Sequence, residues 1–304
     1  MRTLIYSFLV LLYSAPNYAT NTEIFSDKNT ASIEKITGLK GKLNEAEHVF
    51  KVSSPRSDVN VSVDGFKMPP FMGLTSWAAF TGTKEEKAMV MGDLVLFEDE
   101  VNPVMSTLLK NHIDVTALHN HFTYEDPKVY FMHIGGEGKL DALAKGIRSA
   151  FDEEKKIRTK NPQPLGSSGA KALPEKNSIT SVTLEKILKV SGQSQDGMFK
   201  AVFGRDVKMS CGCEAGKEMG VNTWSAFAGS DENAVVDGDF AVWESELQSI
   251  LRSLRDHGIQ IVAIHQHMTN ETPRTLFLHY WGRGKADDLA KAIRATLDIQ
   301  KSKN

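Results

Sequence analysis

Residues 113–152 align without a gap onto residues 259–298, and 19 of those 40 positions are identical. Upstream, TSWAAFTG at 75–82 matches NTWSAFAG at 222–229, and GDLVLFEDE at 92–100 matches GDFAVWESE at 238–246. IEKITGLK at 33–40 and LEKILKVS at 184–191 read as a shared opening helix. A unit of roughly 120 residues is thus present twice, at 33–152 and 183–300. It is too long for a solenoid repeat and has the size of a domain. Whatever one copy folds into, the other should fold into as well. The 304-residue chain therefore holds two cores or one fused core. Residues 153–182, rich in Lys, Pro, Gly and Ser, read as the linker between the units.

Within each unit the pattern reads as helix, several strands, helix, two strands, helix. VFKVSS and VNVSV alternate as strands do, and SWAAFTG and AMVMGDLVLF follow as longer ones. Val101, Val104, Met105, Leu108 and Leu109 recur at helical spacing, which predicts a helix over 98–111 with Pro103 in its first turn. IDVTALHNH is a strand and KVYFMHI its return. Leu140, Leu143, Ala144, Ile147 and Phe151 form the stripe of a last helix. Helices mixed with consecutive strands predict an α+β fold with mainly antiparallel sheet. A pseudo-two-fold pair is one way to pack the two units.

Eight of the nine histidines fall into two matched sets: His112, His119, His121 and His133, then His257, His265, His267 and His279. The core of each set is H-x-H-x3-E-x7-H. Side chains two apart in a strand share a face. If the hairpin centres near Asp126, His133 lies opposite His119 and Phe131 opposite His121. Three imidazoles then share one face within about 5–7 Å. Such a set suits a divalent transition metal with positions left open. The candidate ligands are His119, His121 and His133 in one unit, and His265, His267 and His279 in the other. Zinc comes first among the ions; Fe, Mn, Ni and Cu suit the same donors. Glu125 and Glu271, four residues after the second histidine, are candidate fourth ligands or acid/base groups. The competing reading is a hydrogen-bonded core or an organic-ligand pocket, with both glutamates as solvated turn carboxylates.

Other shared residues read as structural. His112 and His257 fall at the end of the middle helix, where a donor suits the exposed carbonyls. Asp93 and Asp239 read as turn or strand-end residues, and Glu98 and Glu244 as helix N-terminal charge. The glycines at 136, 138, 282 and 284 read as tight strand-to-helix turns.

A net charge of −2 offers no basic stripe, so no nucleic-acid partner is expected. Residues 1–19 read as a secretory signal: Arg2, then an apolar run from Leu4 to Tyr13 too short to span a bilayer. A secreted or periplasmic protein with no membrane span after signal removal is the expectation. Cys211 and Cys213 are too few for a disulfide scaffold. They read as ordinary thiols, with a soft-metal or redox pair as the sharper alternative.

GDLVLFEDEVNP, ALHNHF and the following E-x-P-x3-F-x-H resemble the LppY/LpqO family of secreted bacterial proteins, a domain of unknown function. Gly92, Asp93, Glu100, Asn102, Pro103, His119, His121, Glu125, Pro127, Phe131 and His133 carry the match. The second copy follows through Gly238, Asp239, His265, His267, Glu271, Pro273, Phe277 and His279 but lacks the Asn-Pro pair. The resemblance implies no settled activity. The residues themselves leave two readings: a metal-dependent hydrolase or other metalloenzyme acting on a small-molecule or envelope ligand, or a non-catalytic envelope protein that binds a metal, an anionic ligand or a partner.

Overall fold

The structure, a computed structural model, describes residues 27–84, 87–167 and 169–302. The expected leader at 1–19 lies outside the described residues. The first repeat supplies strands β1 (Gly41–Asn44), β2 (Val49–Pro55), β3 (Thr75–Lys84), β4 (Lys87–Phe97), β5 (Asp114–His119) and β6 (Val129–Gly138). The second supplies β7 (Gln193–Gln195), β8 (Met198–Gly204), β9 (Asn222–Ser230), β10 (Asn233–Trp243), β11 (Gln260–His265) and β12 (Thr275–Gly284). All twelve form one sheet, in the order β1-β2-β3-β4-β6-β5-β11-β12-β10-β9-β8-β7. The sequence did not say whether the repeats share a sheet. They do, and its order reads alike from both ends, as an axis between β5 and β11 requires.

Alternation sets the two faces. In β4 the even residues Val90, Leu94 and Leu96 enter one large apolar core, which also holds side chains from both repeats and from the six α-helices of the described residues. These are α1 (Asp27–Thr37), α2 (Glu98–Lys110), α3 (Leu140–Lys160), α4 (Ser181–Leu188), α5 (Leu247–Asp256) and α6 (Ala286–Ser302). The fold is α+β with a single fused core. Each fully buried Leu or Ile there contributes roughly 1.5–3 kcal/mol. The odd residues of β4 face away from the helices. Val95 and Phe97, with Val129 and Phe131 of β6, are covered by Val59, Val61, Met68 and Leu74. Val207 and Val221 form the matching patch in the second repeat. The segments 56–74 and 205–221 thus cover part of the helix-free face, while among the described residues Val262 near its centre stays 42% exposed.

Several local expectations change. VNVSV is a strand only at Ser62–Val63; it lies in the cover segment, and its Val59 and Val61 are buried against the sheet. Pro103 is the sixth residue of α2, in the second turn. Gly136 and Gly282 lie inside strands, not turns. A Cβ at Gly282 would meet Ile259, Val236 and Leu289 within 3 Å, so the glycine lets the last helix pack close. Helix α3 runs on through Lys160, into the segment read as linker.

The repeats interlock at the axis. Leu118 of β5 pairs with Ile264 of β11. Just beyond, each strand carries a register irregularity, between Val115 and Ala117 and between Ile261 and Ala263. The backbone freed there is taken by the other repeat. Ile261 N–H donates to Asn102 Oδ1 (2.8 Å), and Asn102 Nδ2 donates to Ile261 O (3.2 Å). Val115 N–H donates to Gln248 Oε1 (3.1 Å), and Gln248 Nε2 donates to Val115 O (2.9 Å). Gln248 occupies the place of Asn102 in the repeat alignment, so the second copy keeps the function of the missing asparagine with a longer amide. Asn102→Ala and Gln248→Ala are each expected to cost about 1–3 kcal/mol, since an N–H and a carbonyl lose their partners. Urea denaturation should still show one transition, because the core is shared; two separate transitions would contradict this.

A buried charge cluster ties the first cover segment to α2 and α3. Glu100 accepts from Arg56 Nη1 (2.8 Å) and Nη2 (2.9 Å), and lies 2.8 Å from Arg158 Nε. Glu154 sits 3.7 Å from Arg56. Burial pushes its carboxyl up to about 8; Arg56 opposes the rise, and Glu100 and Asp58 add to it. A carboxyl raised in the fold favours folding fully below its ordinary 4.5, and that contribution is lost as pH rises through about 8. The second repeat has Gln300 at this place, donating to Ala241 O (2.8 Å). Glu154→Gln is therefore expected to stabilise the protein above pH 8 and to change little near pH 4. Denaturant midpoints at both pH values check this; destabilisation at the higher pH would show that attraction to Arg56 outweighs burial. No helix among the described residues is long and apolar enough to cross a membrane.

Candidate metal centre

Strand β5 ends at His119 and β11 at His265, so His121 and His267 stand in the connection beyond the strand. The hairpin centres on Glu125, not Asp126. His119 therefore pairs with Phe131, and His133 pairs with Ala117. The shift is two residues, so the face is unchanged. The second copy is the same: His265 opposes Phe277 and His279 opposes Ala263. His121 reaches the set by another route than strand alternation. Its ring lies flat on Phe131, with centroids 3.4 Å apart, as His267 lies on Phe277 at 3.5 Å. Both phenylalanines are buried, and they are also the platforms that aim these histidines.

The rings gather as pairs. His119 is 5.2 Å from His121 and 5.1 Å from His133 between centroids. His265 is 4.9 Å from His267 and 4.6 Å from His279. Asp93 of β4 pairs directly with His133, and Asp239 of β10 with His279. The aspartates are thus interior strand residues on the histidine face, which corrects their reading as turn or strand-end residues. The alternation of GDLVLF already put Asp93 on the side of Val95 and Phe97. The glycine before each serves the packing: a Cβ at Gly238 would meet Tyr280 at 2.2 Å.

In the second repeat the polar atoms converge. His267 Nε2 is 3.0 Å from His265 Nε2 and 3.3 Å from Asp239 Oδ2. The ligand atoms of Asp239, His265 and His267 all lie within 4.8 Å of one another, a candidate metal-binding group. Ligand atoms on an ion with bonds of about 2.1 Å sit ~3.0 Å apart at right angles and ~3.4 Å apart in a tetrahedron, so the spacing suits a first-row ion. Among the described residues this convergence occurs in the second repeat and not the first. Asp93 Oδ1, Asp239 Oδ1 and His265 Nδ1 are buried without a hydrogen-bond partner. Burial raises both aspartate carboxyls against the pull of the neighbouring imidazoles. Burial likewise lowers His121 and His265, favouring the neutral imidazole that can ligate.

The glutamates sit differently. Glu125 lies in a two-residue strand that pairs with Ser62–Val63 of the cover segment, and it accepts from Asn120 Nδ2 at 3.4 Å. Glu271 is buried; its Oε1 accepts from Thr275 N–H at 2.9 Å, while Oε2 has no partner. Glu271 is not part of the converging group. His257 Nδ1 lies 2.7 Å from Ser253 O at the end of α5. Cys211 and Cys213 are exposed free thiols in the second cover segment.

No curated protein matches the chain. Among solved structures, a trimeric bacterial microcompartment shell protein, PduB, aligns at 13% identity over 85% of this chain and 89% of that one, with a TM-score of 0.21. Residues 31–153 and 182–299 each match the family described as Domain of Unknown Function (DUF1259). The chain belongs to that family and carries its domain twice, with the candidate metal group in the second copy.

Proposed function

We propose that each repeat holds one divalent transition-metal ion, zinc first among the choices. The ligands would be His119, His121, His133 and Asp93 in one repeat and His265, His267, His279 and Asp239 in the other. The observation that carries this is the approach of His265, His267 and Asp239 at coordination-edge distances. An ion there would polarise a substrate oxygen or lower the pKa of a water. Glu271, with its free Oε2, and Glu125 are the acid/base candidates in a hydrolytic reaction. The protein would act after export, on a small-molecule or envelope ligand, as a protein of the LppY/LpqO type. A second reading, a non-catalytic binder of metal or of an anionic ligand, draws on the hydrogen bond that ties Glu271 to Thr275 N–H and away from the ion.

Turnover separates the two. Metal-loaded protein is assayed against ester, amide and phosphoester substrates beside the Asp93→Asn/Asp239→Asn double variant. Hydrolysis that follows metal loading and disappears in the variant supports the enzyme. Saturable ligand binding without turnover in any class selects the binder.

A further inference from the structure

Trp77 pairs directly with Asp93 across β3 and β4, and Trp224 with Asp239 across β9 and β10. Each tryptophan therefore stands on the histidine face, one strand outward from the aspartate. One diagonal step further out lies a lysine: Lys51 pairs with Ala79 and Lys200 with Ala226. Lys51 Nζ sits 4.1 Å above the Trp77 ring, and Lys200 Nζ 4.4 Å above Trp224. The same lysine–tryptophan–aspartate row thus occurs in both repeats. Attraction to the ring face holds each ammonium in place without neutralising it.

A second cation accompanies each lysine, from a different source. In the first repeat Lys42 pairs directly with Lys51, two like charges face to face. Such a pair costs stability unless something negative joins it. In the second repeat Gln193 replaces Lys42, but Lys217 of the cover segment reaches the same space. Lys200, Lys217, Asn222, Trp224, Asp239 and His267 line a cavity of about 450 Å³. Glu218 also reaches its wall. Among the described residues none of the four lysines has a carboxylate within ion-pair distance.

We propose that each metal centre is flanked by an oxyanion subsite built on Lys51 and Trp77 or on Lys200 and Trp224. The ligand class is a small organic molecule, or one unit of a polymer, bearing a phosphate or carboxylate. This rests on the metal reading for its second anchor. Three neutral imidazoles and one carboxylate leave a divalent ion with one positive charge, so a ligand that places its oxyanion at the lysine and reaches the ion, two strands inward, with another oxygen meets positive charge at both ends. A cavity of several hundred cubic ångströms accommodates the body of such a ligand.

The full chain, loaded with zinc, is titrated with inorganic phosphate and separately with acetate. Calorimetry and tryptophan fluorescence are the readouts. The Lys51→Met/Lys200→Met double variant runs beside it, with metal content measured on the same samples. The expected result is saturable binding of at least one anion that changes tryptophan emission. The variant should bind at least tenfold more weakly with its metal content unchanged; the preferred anion then names the group. Equal binding by parent and variant would assign the anion to the metal alone and overturn the subsite, as would no binding of either anion to the parent. If the parent takes up no zinc, the metal reading fails separately. Lysine-dependent binding to the metal-free protein would then still support the subsite, and lysine-independent binding would overturn it.

Discussion

Glu100→Ala is expected to lower the stability of the protein by about 3–5 kcal/mol, the cost of breaking a buried ion pair from one side. Glu100 is fully buried and receives both terminal nitrogens of Arg56, as well as the N–H of Phe97 that opens α2. Without it, Arg56 keeps Val95 O and half-exposed Asp58, while Arg158 keeps Asp99. The buried side of the cluster is left with excess positive charge. Arg56 also starts the cover segment and lies 4.5 Å over the Phe97 ring, so the patch over Phe131 should loosen. Phe131 is the platform of His121, which makes this a prediction about the site as well. Glu246 and Arg205 repeat the pair in the second unit, at 2.5 and 3.1 Å. Urea denaturation of Glu100→Ala measures the loss; a change under 1 kcal/mol would show that the cluster relaxes or takes in water.

Asp239→Asn and His265→Ala are expected to weaken metal binding at the second repeat by more than the ~10–100-fold that losing an outer-shell partner costs. Neither should destabilise the metal-free fold appreciably. Asp239 Oδ1 and His265 Nδ1 are buried without partners, so in the metal-free protein these groups are a burden rather than a support. A structural hydrogen-bond network predicts the opposite: loss of fold and no metal to lose. Thermal melts with and without zinc separate the two, since an ion that binds only the folded state raises the midpoint. The parent should show the larger rise and the variants a smaller one, from the first-repeat ion alone. Equal rises would remove these residues from the ligand set.

The duplication made the fold class legible, because a pattern present twice is read twice. The histidines were legible for the same reason. The register was not: a hairpin centre one residue off displaces partners by two, and only the period of two kept His119 and His133 on one face. His121 reached its place by stacking on Phe131, which no alternation rule foresees. Asp93 and Asp239 were visible as a repeated Gly-Asp pair, yet an aspartate in an apolar run reads more readily as a strand end. The shared sheet was beyond reach, since it hangs on Leu118 opposite Ile264 and on two amides exchanged between repeats. Those contacts have no local signature. The Lys-Trp rows also depend on register between strands far apart in sequence.

Metal content of the protein, purified without a histidine tag and reloaded in turn with zinc, manganese, iron, nickel and copper, tests the central claim most directly. The account predicts an ion that survives desalting. Anomalous scattering should place it within about 2.0–2.2 Å of ligand atoms from Asp239, His265 and His267, with a second ion at Asp93, His119, His121 and His133. A folded protein that retains no ion from any of these would contradict it.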